Sequence, residues 1–164
     1  MTFSNVLLTI TATLTALVAG LFFAWSISIT LGLARVSDTE YISVFQATNR
    51  AIQNPVFLIA FMGTQLLLPV CVFFFYRQTT RFWLLLAATI VYTIGVSGVT
   101  FLGNIPLNNK LDKFDLKSAA AQEISQQRKD FETPWNNLNT VRTVSSTLAI
   151  ILVIIACLAR ENDL

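Results

Sequence analysis

Histidine is absent from this 164-residue sequence, and charged residues make up only 12% of it. Soluble domains carry about 25% charged residues, so the chain has roughly half the charge that a water-exposed surface normally carries. Without histidine the chain also lacks the commonest metal ligand, the usual haem ligand and the side chain that titrates near neutral pH. These absences exclude a water-soluble domain, and no metal or other cofactor is expected.

Cysteine is also scarce. Cys71 and Cys157 lie inside apolar segments and form neither a Cys-x-x-Cys motif nor a closely spaced set, so a disulfide framework or a zinc site is not expected. Both are predicted to be small packing residues. The net charge of +2 comes without a long basic run, and the chain therefore lacks the electrostatic signature of a nucleic-acid-binding protein.

Long uncharged runs are the most prominent feature that the sequence does have. Hydrophobic residues make up 54% of the chain, and its mean hydropathy is +0.64. Charges are absent from residues 1–34, 51–76 and 82–109, and a fourth apolar run covers residues 143–159. A helix of about 20 apolar residues crosses the roughly 30 Å hydrocarbon core of a bilayer. The sequence therefore predicts a multi-pass integral membrane protein.

The predicted spans cover about residues 3–34, 55–76, 82–103 and 135–159 of a single polytopic domain, residues 1–164. Only helices and closed barrels satisfy every backbone group in lipid, and short connections favour antiparallel neighbours. The expected fold is therefore an all-α, four-helix transmembrane bundle in the cell membrane.

A short polar helix is predicted between the first two spans. Ser37 and Glu40 have the spacing of a capping box, which predicts a helix over about residues 38–53. Its mixed polar and apolar residues place it at the membrane interface. Asn54 and Pro55 end this helix and are predicted to cap and begin the second span.

Two further prolines are predicted to mark the ends of helices. Pro106 disfavours helix at the residue before it, so it is expected to close or distort the helix of the third span around Asn104. Thr133 and Pro134 repeat the cap-and-proline pattern, which predicts that the fourth span begins at about Trp135. A polar loop over residues 108–133, with a short helix inside it, would join the two spans.

Polar residues converge on the end of the bundle that carries the interfacial helix and the polar loop, which we call the loop face. Trp135, Asn139 and Arg142 have the spacing i, i+4, i+7 and share one helical stripe. Helix N-termini predicted at Pro55 and Trp135 would each add about half a positive charge. Such a site suits a carboxylate, phenolate or enolate. The predicted ligand-binding residues are Asn49, Arg50, Asn104, Asn108, Trp135, Asn139 and Arg142.

Each of these residues also has a purely structural interpretation. Arg142 could extend to the lipid headgroups, and Trp135 could be an interfacial anchor. Asn104 and Asn108 could cap the end of the third span. Three aromatic residues of the first span are predicted to pack or to face lipid rather than to form a substrate wall: Phe22, Phe23 and Trp25. The hypothesis of a shared site depends on three asparagines and an arginine meeting at one depth.

The same motifs resemble those of a known family. Gly-Leu-Phe-Phe-Ala at residues 20–24, Gln-Ala-Thr-Asn-Arg at 46–50, Asn-Ile-Pro-Leu-Asn at 104–108 and Asn-x-Val-Arg-Thr at 139–143 resemble domain-of-unknown-function family 1772, which is grouped with the fungal anthrone oxygenases. The resemblance covers nearly the whole chain and implies a small four-span membrane bundle. Thr140 stands where many relatives carry histidine, which leaves an acid–base role at this position in doubt.

The resemblance implies a cofactor-independent oxygenase, because an anthrone's own enolate can deliver an electron to oxygen. The protein would then have to bind, deprotonate and stabilise the anion. The predicted site offers stabilising groups but no convincing base, since Asp38, Glu40 and Glu132 have ready capping or surface roles. A non-enzymatic accessory or ligand- or lipid-binding membrane protein therefore remains an open alternative.

A transporter or channel is disfavoured, because no acidic or histidine relay lies inside the spans and no internal repeat is visible. For the two open functions, the expected partners are the lipid bilayer and a lipophilic small molecule. A homo-oligomer is left open, and no nucleic acid is expected.

Overall fold

Five helices make up the regular structure of residues 2–159, the part of the chain that the computed structural model describes. They are α1 (Phe3–Leu33), α2 (Asp38–Ala51), α3 (Pro55–Phe74), α4 (Thr79–Asp112) and α5 (Ala121–Leu158). All except α2 are long and apolar enough to cross a membrane. The predicted all-α, four-helix transmembrane bundle is confirmed, and the chain is an integral membrane protein.

Each span packs on its neighbours along one side and exposes apolar side chains on the outside of the bundle. Roughly a third of the residues in each span are buried inside the bundle, while large side chains such as Leu102 and Val56 are 85% and 77% exposed. This pattern is stable when the outer surface meets hydrocarbon. The main core is aliphatic and aromatic, and includes Leu8, Val18, Phe61, Leu68, Leu85, Tyr92 and Val153.

The capping interactions predicted for α2 and α3 are present. The Ser37 hydroxyl accepts the Glu40 N–H at 3.3 Å, and the Glu40 carboxylate accepts the Ser37 N–H at 2.9 Å. The Asn54 side-chain oxygen accepts the Phe57 N–H at 3.1 Å, with Pro55 in the first turn of α3. The two helices therefore begin where these residues satisfy backbone donors that have no partner within the helix.

The predicted end of the third span near residue 103 is wrong, because α4 continues through Pro106 to Asp112, whereas the distortion predicted around Asn104 is present. The turn before the proline, Thr100–Asn104, is π-helical, and the Ile105 N–H donates to the carbonyl of Thr100, five residues back. This wider turn already departs from the i→i−4 pattern, so it accommodates a residue that has no N–H. The third span is consequently longer than its apolar run.

The predicted start of the fourth span at Trp135 is also wrong, because α5 begins at Ala121 and passes through Pro134. The Glu123 carboxylate accepts the Ala120 N–H at 2.8 Å at this start, and Phe131 is buried on α2. Tertiary packing thus supports the polar turns ahead of the proline. The loop predicted over 108–133 is reduced to the segment between Asp112 and Ala121, and no helix N-terminus lies at Trp135.

Arg128 holds the polar first turns of α5 against the rest of the bundle. Its guanidinium donates to the Val36 carbonyl at 2.9 Å and to the carboxylates of Asp38 and Glu132 at 3.0 and 2.8 Å. It also lies over the ring of Tyr41, 4.5 Å from its centroid. At about 1.5 Å per residue the 38 residues of α5 extend about 57 Å, so its first turns project beyond the hydrocarbon and pack on α2.

Gly95 provides a test of the close approach between α4 and α5. A Cβ at this position would lie 2.6 Å from the Cβ of Ser145, closer than two carbon atoms can pack. We expect Gly95→Ala to lower the free energy of unfolding by about 1–3 kcal/mol, measured by thermal unfolding in detergent micelles. Gly20→Ala is the matched control, since nothing lies within 4 Å of its added Cβ. Equal melting temperatures for the two variants would contradict the observed packing.

The capping box of α2 should make stability depend on pH. The hydrogen bond from the Ser37 hydroxyl holds the pKa of Glu40 below its ordinary value. The ionised carboxylate therefore adds stability above the pKa that it has in the unfolded chain, and this contribution is lost as the pH falls through the folded-state pKa. We expect the melting temperature of the native protein to exceed that of Glu40→Gln at neutral pH, and the difference to shrink below about pH 4. A difference that does not change with pH would argue against this role.

Candidate functional site

A cavity of about 410 Å³ lies at the loop face, with α2 across it. All five helices contribute to its walls. Phe22 and Trp25 of α1, Phe45 of α2, Phe57 of α3 and Trp135 of α5 form most of the aromatic surface. The polar lining comprises Thr48, Asn49, Gln53, Thr100, Asn104, Asn108, Asn109 and Arg142.

Five of the seven residues predicted to bind a ligand line this cavity, namely Asn49, Asn104, Asn108, Trp135 and Arg142. The other two, Arg50 and Asn139, do not line it. That the five bind a ligand stays a prediction, but the structure brings together side chains that are up to 93 positions apart in the sequence.

Arg50 lies outside the cavity although it follows Asn49 directly on α2. Neighbouring residues on a helix point about 100° apart, and here Asn49 faces inward while Arg50 faces outward. The Arg50 side chain is 63% exposed, and its Nε donates to the carboxylate of Asp112 at 2.7 Å. Arg50 therefore joins the outer surface of α2 to the end of α4.

Arg142 is the one ionisable residue among the described residues that line the cavity. It is only 6% exposed, and its guanidinium lies 4.4 Å from the ring centroid of Phe22 and 5.2 Å from that of Trp135. The side chain therefore points into the bundle and does not extend to the headgroups. Its Nη2 donates to the side-chain oxygen of Asn139 at 2.9 Å, whereas Nε is buried without a hydrogen-bond partner.

No carboxylate compensates this charge within residues 2–159. Every ion pair in that range involves either Arg50 or Arg128. A buried guanidinium without a counter-charge is unfavourable by several kcal/mol, and ring faces and one neutral amide offset only part of that cost. The wall of the cavity is therefore positively charged and incompletely hydrogen-bonded.

Two asparagines of α4 line the same cavity and are hydrogen-bonded to Trp135. Asn104 is fully buried, its Oδ1 has no hydrogen-bond partner, and its Nδ2 lies 3.5 Å from the Trp135 carbonyl. Asn108 accepts the indole N–H of Trp135 at 2.8 Å. Because α4 runs through both asparagines, neither of them caps a helix end. Trp135 is 4% exposed, so it is not an interfacial anchor.

The aromatic wall includes Phe22 and Trp25, which were predicted to pack or to face lipid, and Phe45, which was not among the predicted site residues. Trp25 lies 5.2 Å from both Phe45 and Trp135, and Phe45 lies 4.8 Å from Trp135 between ring centroids. Phe22 and Trp25 both pack and line the cavity, whereas Phe23 is half exposed on the outer surface. Phe45 lies one turn before Asn49 on α2, so its helical spacing was the signal that could have identified it.

The carboxylates considered as bases have other partners. Asp38 and Glu132 pair with Arg128, and Glu40 caps α2. Within residues 2–159, no three histidine, cysteine, aspartate or glutamate side chains form a cluster that could hold a metal ion. The chemistry that this cavity offers is therefore stabilisation of negative charge by one guanidinium and several amide groups.

Replacing Asn139 and Arg142 tests how much the buried guanidinium lowers the free energy of unfolding. Asn139→Leu removes the acceptor of a buried guanidinium, and we expect it to lower the free energy of unfolding by about 1–3 kcal/mol. Adding Arg142→Met removes the desolvated charge itself and should restore stability to at least the native level. Thermal unfolding in detergent compares the three proteins. If the double variant were less stable than Asn139→Leu alone, the guanidinium would be a net stabilising group.

Comparisons with known proteins identify the family of the chain. The family model described as anthrone oxygenase matches residues 43–152, well over half of the chain. The matched region contains α3 and α4 completely and most of α2 and α5, and so includes all five predicted residues that line the cavity. No curated protein and no solved structure matches the chain. The chain belongs to the anthrone oxygenase family.

Proposed function

We propose that this protein, in the cell membrane, binds a lipophilic aromatic enol as its enolate in the loop-face cavity and oxygenates it without a cofactor. The observation that carries the proposal is the buried guanidinium of Arg142, which has no carboxylate partner in the described chain and forms part of an aromatic cavity. A ligand with a flat apolar body and one negative oxygen would supply both the missing counter-charge and the ring contacts.

The dimensions and lining of the cavity support a ligand of this class. Its volume of about 410 Å³ falls within the roughly 300–1,000 Å³ of small-molecule sites. Phe22, Trp25 and Trp135 offer ring faces, while Asn104 and Asn108 offer amide groups that can orient a second oxygen. A ligand dissolved in the bilayer would reach the site without crossing much water, since exposed Leu58 of α3 belongs to the lining.

Arg142 would act by stabilising the anion. A guanidinium in a water-poor cavity favours the enolate over the neutral ketone, and therefore lowers the pKa of the bound carbon acid. The methylene proton of an anthrone can then pass to water, so that an ionisable side chain is not required as a base. The amide groups of Asn104 and Asn108 would hold the enolate in place while it reacts.

The reaction balances with dioxygen as the oxidant. The enolate carbon gives one electron to O₂, and the resulting carbon radical and superoxide combine to form a C–O bond. The peroxide takes up a proton; loss of the remaining C–H proton and cleavage of the O–O bond then release water and leave a carbonyl. The net change is CH₂ + O₂ → C=O + H₂O. The role of the protein is to raise the enolate population and to exclude competing reactions.

Oxygen uptake by the purified protein tests the proposal. Anthrone is added to the protein in detergent, and oxygen consumption is followed together with the absorbance of the quinone. We expect Arg142→Met to reduce the rate above buffer by about 10²- to 10³-fold, the usual cost of removing one stabilising donor, and Arg142→Lys to retain part of it. Arg35→Ala is the control, since it removes an exposed arginine from the same end. A native rate equal to that of buffer would refute the oxygenase.

A second function, binding of a lipophilic anion without chemistry, is favoured by one specific observation. Among the described residues that line the cavity, none is an ionisable base. Under this function the ligand would raise the melting temperature through Arg142 and oxygen would not be consumed. Ligand at about 100 times its Kd stabilises a protein by about 2.7 kcal/mol, so a higher melting temperature with ligand, without oxygen uptake, identifies binding without chemistry.

A further inference from the structure

We propose that Asn139, Ser26 and Thr143 form a positioning network that holds the Arg142 guanidinium in the orientation that binds an anion. The inference rests on the proposed function in one respect, namely that Arg142 is the anion-binding group. It assigns Asn139 a role different from direct contact with the ligand, because Asn139 is buried behind Arg142 and does not line the cavity.

The network is a continuous series of short hydrogen bonds between α5 and α1. Arg142 Nη2 donates to Asn139 Oδ1 at 2.9 Å, and Asn139 Nδ2 donates to Ser26 Oγ at 2.9 Å. The hydroxyls of Ser26 and Thr143 lie 2.8 Å apart. Thr143 Oγ1 in turn donates to the Phe22 carbonyl at 3.0 Å, and it shares this proton with the Asn139 carbonyl at 2.9 Å.

The direction of every bond in this series is fixed from its two ends. A guanidinium has donors only, so Asn139 must turn its oxygen toward Arg142 and its NH₂ toward Ser26. Thr143 has a single hydroxyl proton, which the carbonyls of Phe22 and Asn139 accept, so Ser26 donates its own proton to Thr143. All the bonds are polarised the same way, an arrangement in which each bond strengthens the next.

The network holds the guanidinium in one orientation because its residues lie on two packed helices, α5 and α1. Asn139, Arg142 and Thr143 are spaced i, i+3, i+4, so all three lie on one side of α5. Ser26 belongs to the π-helical segment Trp25–Ile29 of α1, directly after a residue that lines the cavity. The network therefore ties Arg142 to the wall that carries Phe22, whose ring lies under the guanidinium. With Nη2 held from behind, the guanidinium keeps donors that no acceptor within residues 2–159 uses.

The Asn139→Asp and Thr143→Val substitutions test two parts of the proposal. Aspartate has nearly the same shape as asparagine and still accepts from Arg142, but it supplies a counter-charge to the guanidinium and cannot donate to Ser26. If the charge of Arg142 is kept for a ligand, Asn139→Asp will lose the anion while remaining folded. Thr143→Val adds no charge, so a loss of affinity in that variant reports the positioning of the guanidinium alone.

The test uses 9-anthracenecarboxylate, a flat aromatic anion whose binding requires no reaction with oxygen. Its Kd is measured by fluorescence for the 164-residue protein in detergent, and each variant's melting temperature is measured in parallel. We expect Asn139→Asp to weaken binding more than about tenfold without lowering the melting temperature. Thr143→Val should weaken binding by about threefold to tenfold, and Thr143→Ser, which keeps the hydroxyl, should bind like the native protein. Thr147→Val, one turn further along α5 and exposed, is the control.

The outcomes distinguish this inference from the oxygenase proposal. Unchanged affinity in Asn139→Asp, or equal affinity in Thr143→Val and Thr143→Ser, would overturn the positioning role. A native protein that does not bind the probe would overturn it as well, since Arg142 would then not be an anion site. Binding that follows the expected order of variants, in a protein that consumes no oxygen with anthrone, would uphold the network and refute only the oxygenase.

Discussion

A single positive charge inside an apolar bundle is the constraint on which the candidate site depends. Arg142 lies two helical turns beyond Trp135 on α5, where neither bulk water nor a carboxylate of the described chain compensates it. Burial of such a charge is unfavourable wherever it occurs. In a membrane protein the charge normally either has a partner that compensates it or serves a function. The amide groups and ring faces around Arg142 reduce this cost without neutralising the charge.

The fold supplies the conditions that keep this charge buried. The polar first turns of α5, which extend past the hydrocarbon, pack against α2 through Phe131 and Phe45, and Arg128 fastens them to the end of α1 and the start of α2. The helix α2 therefore lies across the end of the bundle. A cavity forms beneath it because the five helices meet through large aromatic side chains, which leave more space between backbones than small residues do.

Much of this architecture was predictable because it follows from local rules. Apolar length identified four spans, and Ser37 with Glu40 and Asn54 with Pro55 identified two helix starts, since capping satisfies backbone donors within one turn of the chain. The two helix ends assigned from Pro106 and Pro134 were wrong for the same reason. Proline disfavours helix locally, but a π-helical turn before one proline and packing on α2 around the other outweigh that preference.

Which residues belong to the site was easier to predict than how their side chains are arranged. Helical spacing placed Trp135 and Arg142 on one stripe, and both line the cavity. Spacing could not show that Arg50 pairs with Asp112 on the outside, because that contact joins residues 62 positions apart. Nor could it show that Asn139 lies behind Arg142, since two residues on one stripe have the same periodicity whether they face the ligand or each other.

A comparison of Arg128 and Arg142 on α5 separates a structural role from a binding role. Both guanidiniums lie over aromatic rings, Arg128 over Tyr41 and Arg142 over Phe22. Arg128 also donates to two carboxylates and several backbone carbonyls, so its charge is compensated within the chain. Arg142 has one neutral amide and a buried Nε without a partner. Ring contacts are common to both, and the difference in counter-charge is therefore the property that makes Arg142 the candidate binding group.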